Sequence, residues 1–248
     1  MAECGQLAGN QKRKGTGTFQ YKNLNKSIAY LLGAYLSDGC IYEDPKKGWS
    51  QFTLEVIDQD FAERVQEAIV TLTGQVTTTV FVRETPGKSY FKAYTGNQDL
   101  CRWLTEITND KRIIPDTIWQ ASPELQKEFI AGLLDGDGWF CIGTRNSEAR
   151  DTKQFHLGYA CTDPWIHDMV AMLHKLGVRT SRVARQENGG VKPLYRFEIN
   201  KESFVGSGMY FTIKRKQDRV ELWRRSKGSS ETKREPSLTR DEVIVRPS

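Results

Sequence analysis

The sequence lacks the residue patterns of membrane-spanning, disulfide-bonded and zinc-binding proteins. No apolar run is long enough to span a bilayer, and the polar, Gly- and Lys-rich first residues lack the apolar core of a secretory signal. The 5 cysteines are scattered, none lies in a Cys-x-x-Cys pair, and the 3 histidines have no metal-site spacing with them. We therefore expect an intracellular protein with free thiols. The compartment stays open between a bacterial, phage or archaeal cytoplasm and an organelle.

The chain does contain a modest excess of positive charge. Its 248 residues carry a net charge of +5, and 38% of them are hydrophobic, which suits a folded protein with one large domain or two small ones. Such a charge is compatible with a nucleic acid partner, but many unrelated proteins share it. Charge alone therefore does not identify the partner.

The strongest pattern in the sequence is an internal duplication. Leu31–Gly39 resembles Ile130–Gly138, and within these segments Asp38 corresponds to Asp137, 99 positions later. Further along, the spacing between corresponding residues becomes 103, which indicates a four-residue insertion. These later pairs are Gln51 and Gln154, Asp60 and Asp163, Gly74 and Gly177, Asn97 and Asn200, and Lys111 and Lys214. A constant spacing over so many residues predicts two structurally matched halves.

Each half reads as helix, two strands, helix, two strands and helix, so the predicted fold class is α+β with two pseudo-symmetric αββαββα repeats. We assign residues 1–22 to a polar N-terminal arm, 23–115 to the first repeat, 116–121 to a linker and 122–225 to the second repeat. Residues 226–248 are rich in charge, Ser and Pro, and we expect them to form a disordered tail.

The repeated motif carries small residues on one helical face. Gly33 and Ser37 lie four positions apart in the first copy, as do Gly132 and Gly136 in the second. Small side chains at this spacing let two helix backbones approach closely. We therefore expect the two motif helices to pack against each other at the seam between the halves.

Such a seam would place Asp38 and Asp137 side by side at helix C-termini. Two carboxylates repel each other, and a helix C-terminus carries partial negative charge, so a divalent cation between them would relieve the repulsion. Hard oxygen ligands suit Mg²⁺, which also binds phosphate oxygens and can activate water for phosphodiester cleavage. We assign the metal site to these acids and the glycines that follow them, Gly39 and Gly138. Each glycine is also expected to end its helix in the left-handed conformation.

The strands of each repeat are expected to leave one face of a sheet open. In Tyr195–Asn200, aromatic and aliphatic residues alternate with polar ones, and such a polar face can reach base edges and phosphates. The candidate DNA contacts are Arg83, Lys88, Lys92, Arg145, Lys153, Arg182, Arg185, Lys192, Arg196 and Lys216.

Together these residues resemble the LAGLIDADG homing endonuclease family in its single-chain, two-motif form. The resemblance covers roughly residues 23–225, and Ile130–Gly138 matches the family signature at most positions. The first copy departs from it at Leu36 and Ser37. Because Leu36 occupies the place of Asp135, we interpret Asp135 as a supporting or surface residue and not as a required ligand.

The resemblance implies two saddle-shaped antiparallel sheets over the DNA major groove, with the motif helices at the interface. It implies cleavage across the minor groove to short 3′ overhangs, with Mg²⁺ as cofactor, Mn²⁺ as a substitute and Ca²⁺ binding without cleavage. A lysine near the end of each half would position solvent or offset charge, and a glutamine at a strand entrance could contact solvent or DNA. The implied catalytic set is Asp38, Asp137, Lys111, Lys214, Gln51 and Gln154.

The function implied is that of a monomer that cuts both strands of a long pseudo-palindromic or asymmetric DNA target and promotes homing of an intron or mobile element. Two alternatives on the same fold stay open. One is a maturase that binds intron RNA and assists splicing, which the retention of both acids disfavours in its pure form. The other is a catalytically inactive DNA-binding regulator, which would usually have lost an acid and gained a separate DNA-binding domain.

Overall fold

The computed structural model describes residues 23–44, 46–74, 80–147, 150–163, 165–188 and 191–231. The N-terminal arm and the chain after residue 231 lie outside these ranges. No helix within them is both long and apolar enough to cross a membrane.

The first half follows the expected order of helices and strands. It consists of α1 (Lys26–Ser37), β1 (Cys40–Asp44), β2 (Trp49–Val56), α2 (Gln59–Thr73), β3 (Val80–Thr85), β4 (Lys88–Thr95) and α3 (Gln98–Ile107). Its strands form an antiparallel sheet in the order β1-β2-β4-β3. Asn25 and Asn97 cap the N-termini of α1 and α3, where each side chain accepts a hydrogen bond from a backbone N–H of the first turn.

The second half repeats this arrangement after a short helix, α4 (Asp116–Trp119), in the linker. It consists of α5 (Pro123–Asp137), β5 (Gly138–Ser147), β6 (Arg150–Cys161), α6 (Ile166–Lys175), β7 (Ala184–Asn188), β8 (Val191–Glu198) and α7 (Lys201–Gly206). The sheet order β5-β6-β8-β7 matches that of the first half. The predicted α+β fold with two αββαββα repeats is therefore confirmed.

A further helix, α8 (Lys214–Glu231), continues through the first residues of the segment that was expected to be disordered. Val220 and Trp223 are buried, and Arg219 donates a hydrogen bond of 2.7 Å to the carbonyl oxygen of Phe140 in β5. Burial of these apolar side chains explains why a very polar segment is ordered as a helix.

Each sheet has one buried and one open face. In β2, Ser50, Phe52 and Leu54 are buried, whereas the alternate residues, among them Gln51 and Thr53, are more open. This alternation follows from the two-residue period of a strand. The helices cover the buried faces, so the open faces of both sheets are left for a partner.

The glycines that end the motif helices are required for a reason other than the expected one. Gly138 is extended, with φ −78° and ψ 151°, and Gly39 is not among the left-handed glycines of the described residues. A Cβ on Gly39 would lie 2.7 Å from the Cα of Tyr35, and one on Gly138 would lie 2.5 Å from the carbonyl oxygen of Leu134. The prediction of a left-handed helix end is therefore wrong, and close approach of the chain to the last helical turn requires glycine here.

Candidate functional site

The motif helices α1 and α5 pack against each other through their small residues. A Cβ on Gly33 would lie 2.0 Å from the carbonyl oxygen of Phe129, and one on Gly132 would lie 2.3 Å from that of Tyr30. Ser37 Oγ lies 3.4 Å from the carbonyl oxygen of Gly132, to which it donates. The backbones leave no room for larger side chains, so this seam fixes the halves relative to each other.

The seam brings Asp38 and Asp137 together. A Cβ on Gly136, the residue before Asp137, would lie 3.1 Å from Asp38 Oδ2. Burial, and then the nearby charge of Asp38, raise the pKa of Asp137 to about 6, and Tyr159 donates a hydrogen bond of 3.3 Å to its Oδ2. Asp38 is open to solvent, but surrounding protein displaces enough of its hydration to raise its pKa. Two adjacent, partly dehydrated carboxylates favour a cation.

Lys111 lies at the C-terminal end of α1. Its Nζ donates to the carbonyl oxygens of Ser37 at 3.1 Å and Gly39 at 3.0 Å, and lies 5.4 Å from the ring centroid of Tyr35. Burial lowers the pKa of Lys111, against the nearby carboxylates that raise it. A positive charge here offsets the partial negative charge of the helix terminus.

The lysine that lies at the corresponding end of α5 is Lys216. Its Nζ donates to the carbonyl oxygens of Leu134 at 2.9 Å and Asp135 at 2.5 Å, and burial lowers its pKa to about 8. Lys214, which the repeat spacing selected, is exposed, and its Nζ lies 2.9 Å from Asp218 Oδ2. The two lysines stand two positions apart in one basic run, and only the spacing distinguished them in the sequence.

Of the two paired acids, Asp38 and Asp137, each lysine acts more strongly on the one that belongs to the other helix. The charge of Lys216 lowers the pKa of Asp38 more than that of Lys111 does, and for Asp137 the order is reversed. A cavity of about 400 Å³ is lined by Asp38, Gly136 and Lys216, among other residues. We refer to Asp38 with Lys216, and to Asp137 with Lys111, as the two half-sites of the seam.

Asp135 is a buried carboxylate behind these half-sites, which fits a supporting residue and not a surface one. Tyr30 donates a hydrogen bond of 2.7 Å to its Oδ2, and the backbone N–H groups of Thr212 and Ile213 donate to its Oδ1 at 3.1 and 3.3 Å. The Thr212 hydroxyl also donates to Oδ2. Burial raises the pKa of Asp135 to about 6.

Sequence reasoning missed several partners at the seam. Tyr159, which donates to Asp137, corresponds to Val56 at the repeat spacing, so the duplication gave no signal for it. Tyr30 lies in the first motif helix, and its hydroxyl crosses the seam to Asp135. Contacts between residues so far apart in sequence leave no local pattern.

The two glutamines lie on the sheets and not at the helix ends. Gln51 is half-buried and lies opposite Tyr42 across β1 and β2, and Gln154 is half-buried opposite Gly143 across β5 and β6. Both alternate with core residues along their strands, so both belong to the open faces.

Several of the expected DNA contacts are exposed or lie on an open face. Lys88, Arg182, Lys192 and Arg196 are exposed, and Lys92 Nζ lies 5.7 Å from a tyrosine ring centroid in β4. The side chains of Arg83, Arg145 and Lys153 lie outside the described residues.

Two expected contacts are placed differently. Arg185 is exposed, but it lies opposite Tyr195 across β7 and β8, on the side of the sheet from which Tyr195 packs against the core. It forms an ion pair of 2.9 Å with Glu187. Lys216 is buried at the seam and does not project from the surface.

Comparisons with known proteins agree with this architecture. No protein-family model matches the chain. An uncharacterized protein of Methanocaldococcus jannaschii is 20% identical over 198 residues, which are 78% of this chain and 70% of that protein. I-SmaMI bound to an uncleaved DNA target in the presence of calcium ions has a TM-score of 0.51 and 12% identity, over 84% of this chain and 94% of that one. A variant of the homing endonuclease I-DmoI, in complex with nicked target DNA and Mn, has a TM-score of 0.50 and 14% identity, over 73% and 94% of the two chains. These similarities show a shared fold.

Proposed function

We propose that this chain, whose two-motif fold is that of the LAGLIDADG homing endonucleases, is a divalent-metal-dependent enzyme that makes a double-strand break at a specific DNA site. The proposal depends above all on Asp38 and Asp137, which lie together at the ends of two packed helices with raised pKa values. The structures of I-SmaMI and I-DmoI with target DNA, in the presence of calcium ions and of Mn respectively, support the same assignment.

The donor atoms at the seam suit Mg²⁺, with Mn²⁺ as a substitute and Ca²⁺ as an ion that permits binding without cleavage. Asp38 and Asp137 would hold the ion. Among the described residues, no group of three or more His, Cys, Asp or Glu side chains could hold a metal, so water and DNA phosphate oxygens would complete the coordination. The Gly39 carbonyl already accepts from Lys111, which leaves the carboxylates as the principal ligands. Such an ion activates water and stabilises charge on the phosphate.

The chain's own residues would orient the reaction around that site. Lys111 and Lys216 each donate hydrogen bonds to carbonyl oxygens at the end of a motif helix. These bonds fix the position of the positive charge beside the carboxylates. That charge offsets the negative charge of the acids and of an incoming phosphate. Lys111 Nζ has two such bonds, so its third N–H would hold the attacking water in line with the phosphorus atom. Lys216 Nζ also donates to the Gly136 carbonyl at 3.2 Å, so it would act through its charge alone.

Two half-sites at one seam provide one cleavage centre for each DNA strand. The open sheet faces, with exposed residues such as Lys88, Lys192 and Arg196, would bind the duplex on either side of the seam. Two scissile phosphates that face each other across the minor groove would leave short 3′ overhangs. We propose that the protein acts as a monomer on a long target, and that the break promotes homing of an intron or mobile element.

The experiment begins by selecting cleavage sites for the wild-type protein from a randomised DNA library with Mg²⁺. A supercoiled plasmid carrying a recovered site should then be linearised with Mg²⁺ and only bound with Ca²⁺. Asp38→Asn and Asp137→Asn should bind the site and fail to linearise it. Specific DNA binding without cleavage by the wild type would indicate a regulator. Binding of intron RNA without cleavage of any DNA site would indicate a maturase.

A further inference from the structure

The two lysines at the seam are held in place by different structural devices. In the first half, Asn109, Asp110 and Lys111 have φ values of 47°, 53° and 63°, so the lysine belongs to a tight left-handed turn. Thr108 closes this turn, because its hydroxyl accepts from the Lys111 N–H at 3.1 Å and its carbonyl accepts from the Arg112 N–H at 2.9 Å. The position of Lys111 is therefore fixed by its local backbone.

In the second half, the lysine lies in the first turn of α8 and is fixed from outside that helix. Asp135 binds the backbone N–H groups of Thr212 and Ile213, immediately before α8. The Lys216 N–H then donates to the Ile213 carbonyl at 3.1 Å, and Lys216 Nζ returns to the Asp135 carbonyl at 2.5 Å. The Asp135 carboxylate therefore fixes the residues from which α8 starts, and the backbone carbonyl of the same residue accepts from the end of the lysine side chain.

Leu36 shows that the helix packing does not itself need this carboxylate. It occupies the place of Asp135 in the first repeat and is equally buried, with 2% of its surface exposed in each case. Burying a carboxylate is costly unless hydrogen bonds compensate, whereas an apolar side chain fits the same place in the same fold. The four donors around Asp135 therefore indicate a local task that Leu36 does not have.

We propose that Asp135 is a positioning residue for Lys216, so that one of the two half-sites depends on a carboxylate that the other half-site lacks. This inference rests on the proposed nuclease function. It predicts strand-selective damage: without Asp135, Lys216 loses its place while Lys111 keeps its own. One strand should then be cut at the normal rate and the other slowly.

The test uses the full-length protein, Mg²⁺ and a supercoiled plasmid carrying a site selected by the wild type. Asp135→Leu, which copies the first repeat, should accumulate nicked circles because one strand is cut roughly 10–100-fold more slowly. Asp135→Leu and Lys216→Met should nick the same DNA strand. Lys111→Met should nick the opposite strand. Asp135→Asn keeps an acceptor for the two N–H groups and can donate to the hydroxyls, so both strands should be cut within about threefold of the wild-type rate.

Tyr30→Phe is the matched control, because it removes the bonds of the Tyr30 hydroxyl to Asp135 and to the Thr212 hydroxyl. It keeps the bonds of Asp135 to the backbone N–H groups of Thr212 and Ile213. It should lower the free energy of unfolding without changing the strand ratio. For Asp135→Leu, the Kd for the site in Ca²⁺ should stay unchanged while the single-turnover rate falls. If circular dichroism shows that this variant is unfolded, Asp135→Ala removes the same carboxylate without adding bulk and should give the same readout.

Equal slowing of both strands, or a nick in the strand typical of Lys111→Met, would overturn the role of Asp135. Full rates on both strands in a folded Asp135→Leu, or in Asp135→Ala where Asp135→Leu is unfolded, would do the same. Failure of the wild type to cut any selected site would instead refute the proposed function, which keeps the two failures distinguishable.

Discussion

Gly33 and Gly132 lie in backbone contact across the seam, where a Cβ on Gly33 would stand 3.1 Å from the Cα of Gly132 and 2.0 Å from the carbonyl oxygen of Phe129. Each glycine lies in a helix that ends at one of the paired acids. The separation of Asp38 and Asp137 is therefore set by helix packing. The chemistry of the site and the stability of the two-half fold depend on the same few backbone atoms.

We expect Gly33→Ala to destabilise the fold by about 3 kcal/mol or more, because the methyl group would have to push two helix backbones apart. Gly206→Ala is the control: it is also a helical glycine, but a Cβ there would meet nothing within 4 Å. That change should raise the free energy of unfolding by roughly 0.5–1 kcal/mol through better helix propensity. Urea unfolding without metal measures both. Equal stability of Gly33→Ala and the wild type would contradict the packing described for the seam.

The sequence was sufficient to predict the duplication, the fold class and the packing of the motif helices, because small residues and strand alternation are local signals. It selected Lys214 and not Lys216 because the repeats diverge from their last helix onward. The helix α7 is shorter than α3, with 6 residues against 10, but Lys216 follows the end of α7 by 10 positions whereas Lys111 follows the end of α3 by 4. The hydrogen bonds that Asp135 makes with Tyr30 and Thr212 join distant parts of the chain, so no periodicity in the sequence could indicate them.

Asp137 should make the metal-free protein less stable as the pH rises. Its pKa in the folded protein is about 6, against an ordinary 3.8, so the folded state binds more protons than the unfolded state between these values. Stability from this group is therefore complete below about pH 4 and is lost as the pH rises through about 6. Above that pH, Asp137→Asn should be more stable than the wild type by roughly 1–3 kcal/mol without metal.

Thermal unfolding in chelator, from about pH 4 to pH 8, measures this difference in stability. Adding Mg²⁺ should raise the Tm of the wild type and leave that of Asp137→Asn nearly unchanged, because only the wild type retains both carboxylates. If the stability difference between the wild type and Asp137→Asn does not vary with pH, folding does not raise the pKa of Asp137.

Lys216→Met should abolish efficient linearisation, whereas Lys214→Met should not. Methionine keeps most of the buried stem of Lys216 but removes the charge and the donors to the end of α5. Loss of a positioned charge at a phosphoryl-transfer site costs roughly a hundredfold in rate or more. Lys214 is exposed and paired with Asp218, so its replacement should change the rate by less than about threefold. Single-turnover rates measure both variants. A slower rate for Lys214→Met than for Lys216→Met would show that Lys214, the lysine chosen by the repeat spacing, is the catalytic one.

Removing positive charge from the open sheet faces should weaken DNA binding in a salt-dependent way. Lys192 and Arg196 are exposed on β8, and each one that contacts a phosphate should contribute about 0.9 to the slope of log K against log salt concentration. Replacement by glutamine should reduce the slope by that amount, with Ca²⁺ present to prevent cleavage. Arg185→Gln removes the same charge from the other face of the sheet and should leave the slope unchanged. Equal effects of Arg185→Gln and Arg196→Gln would show that general charge, and not the open face, governs the interaction with DNA.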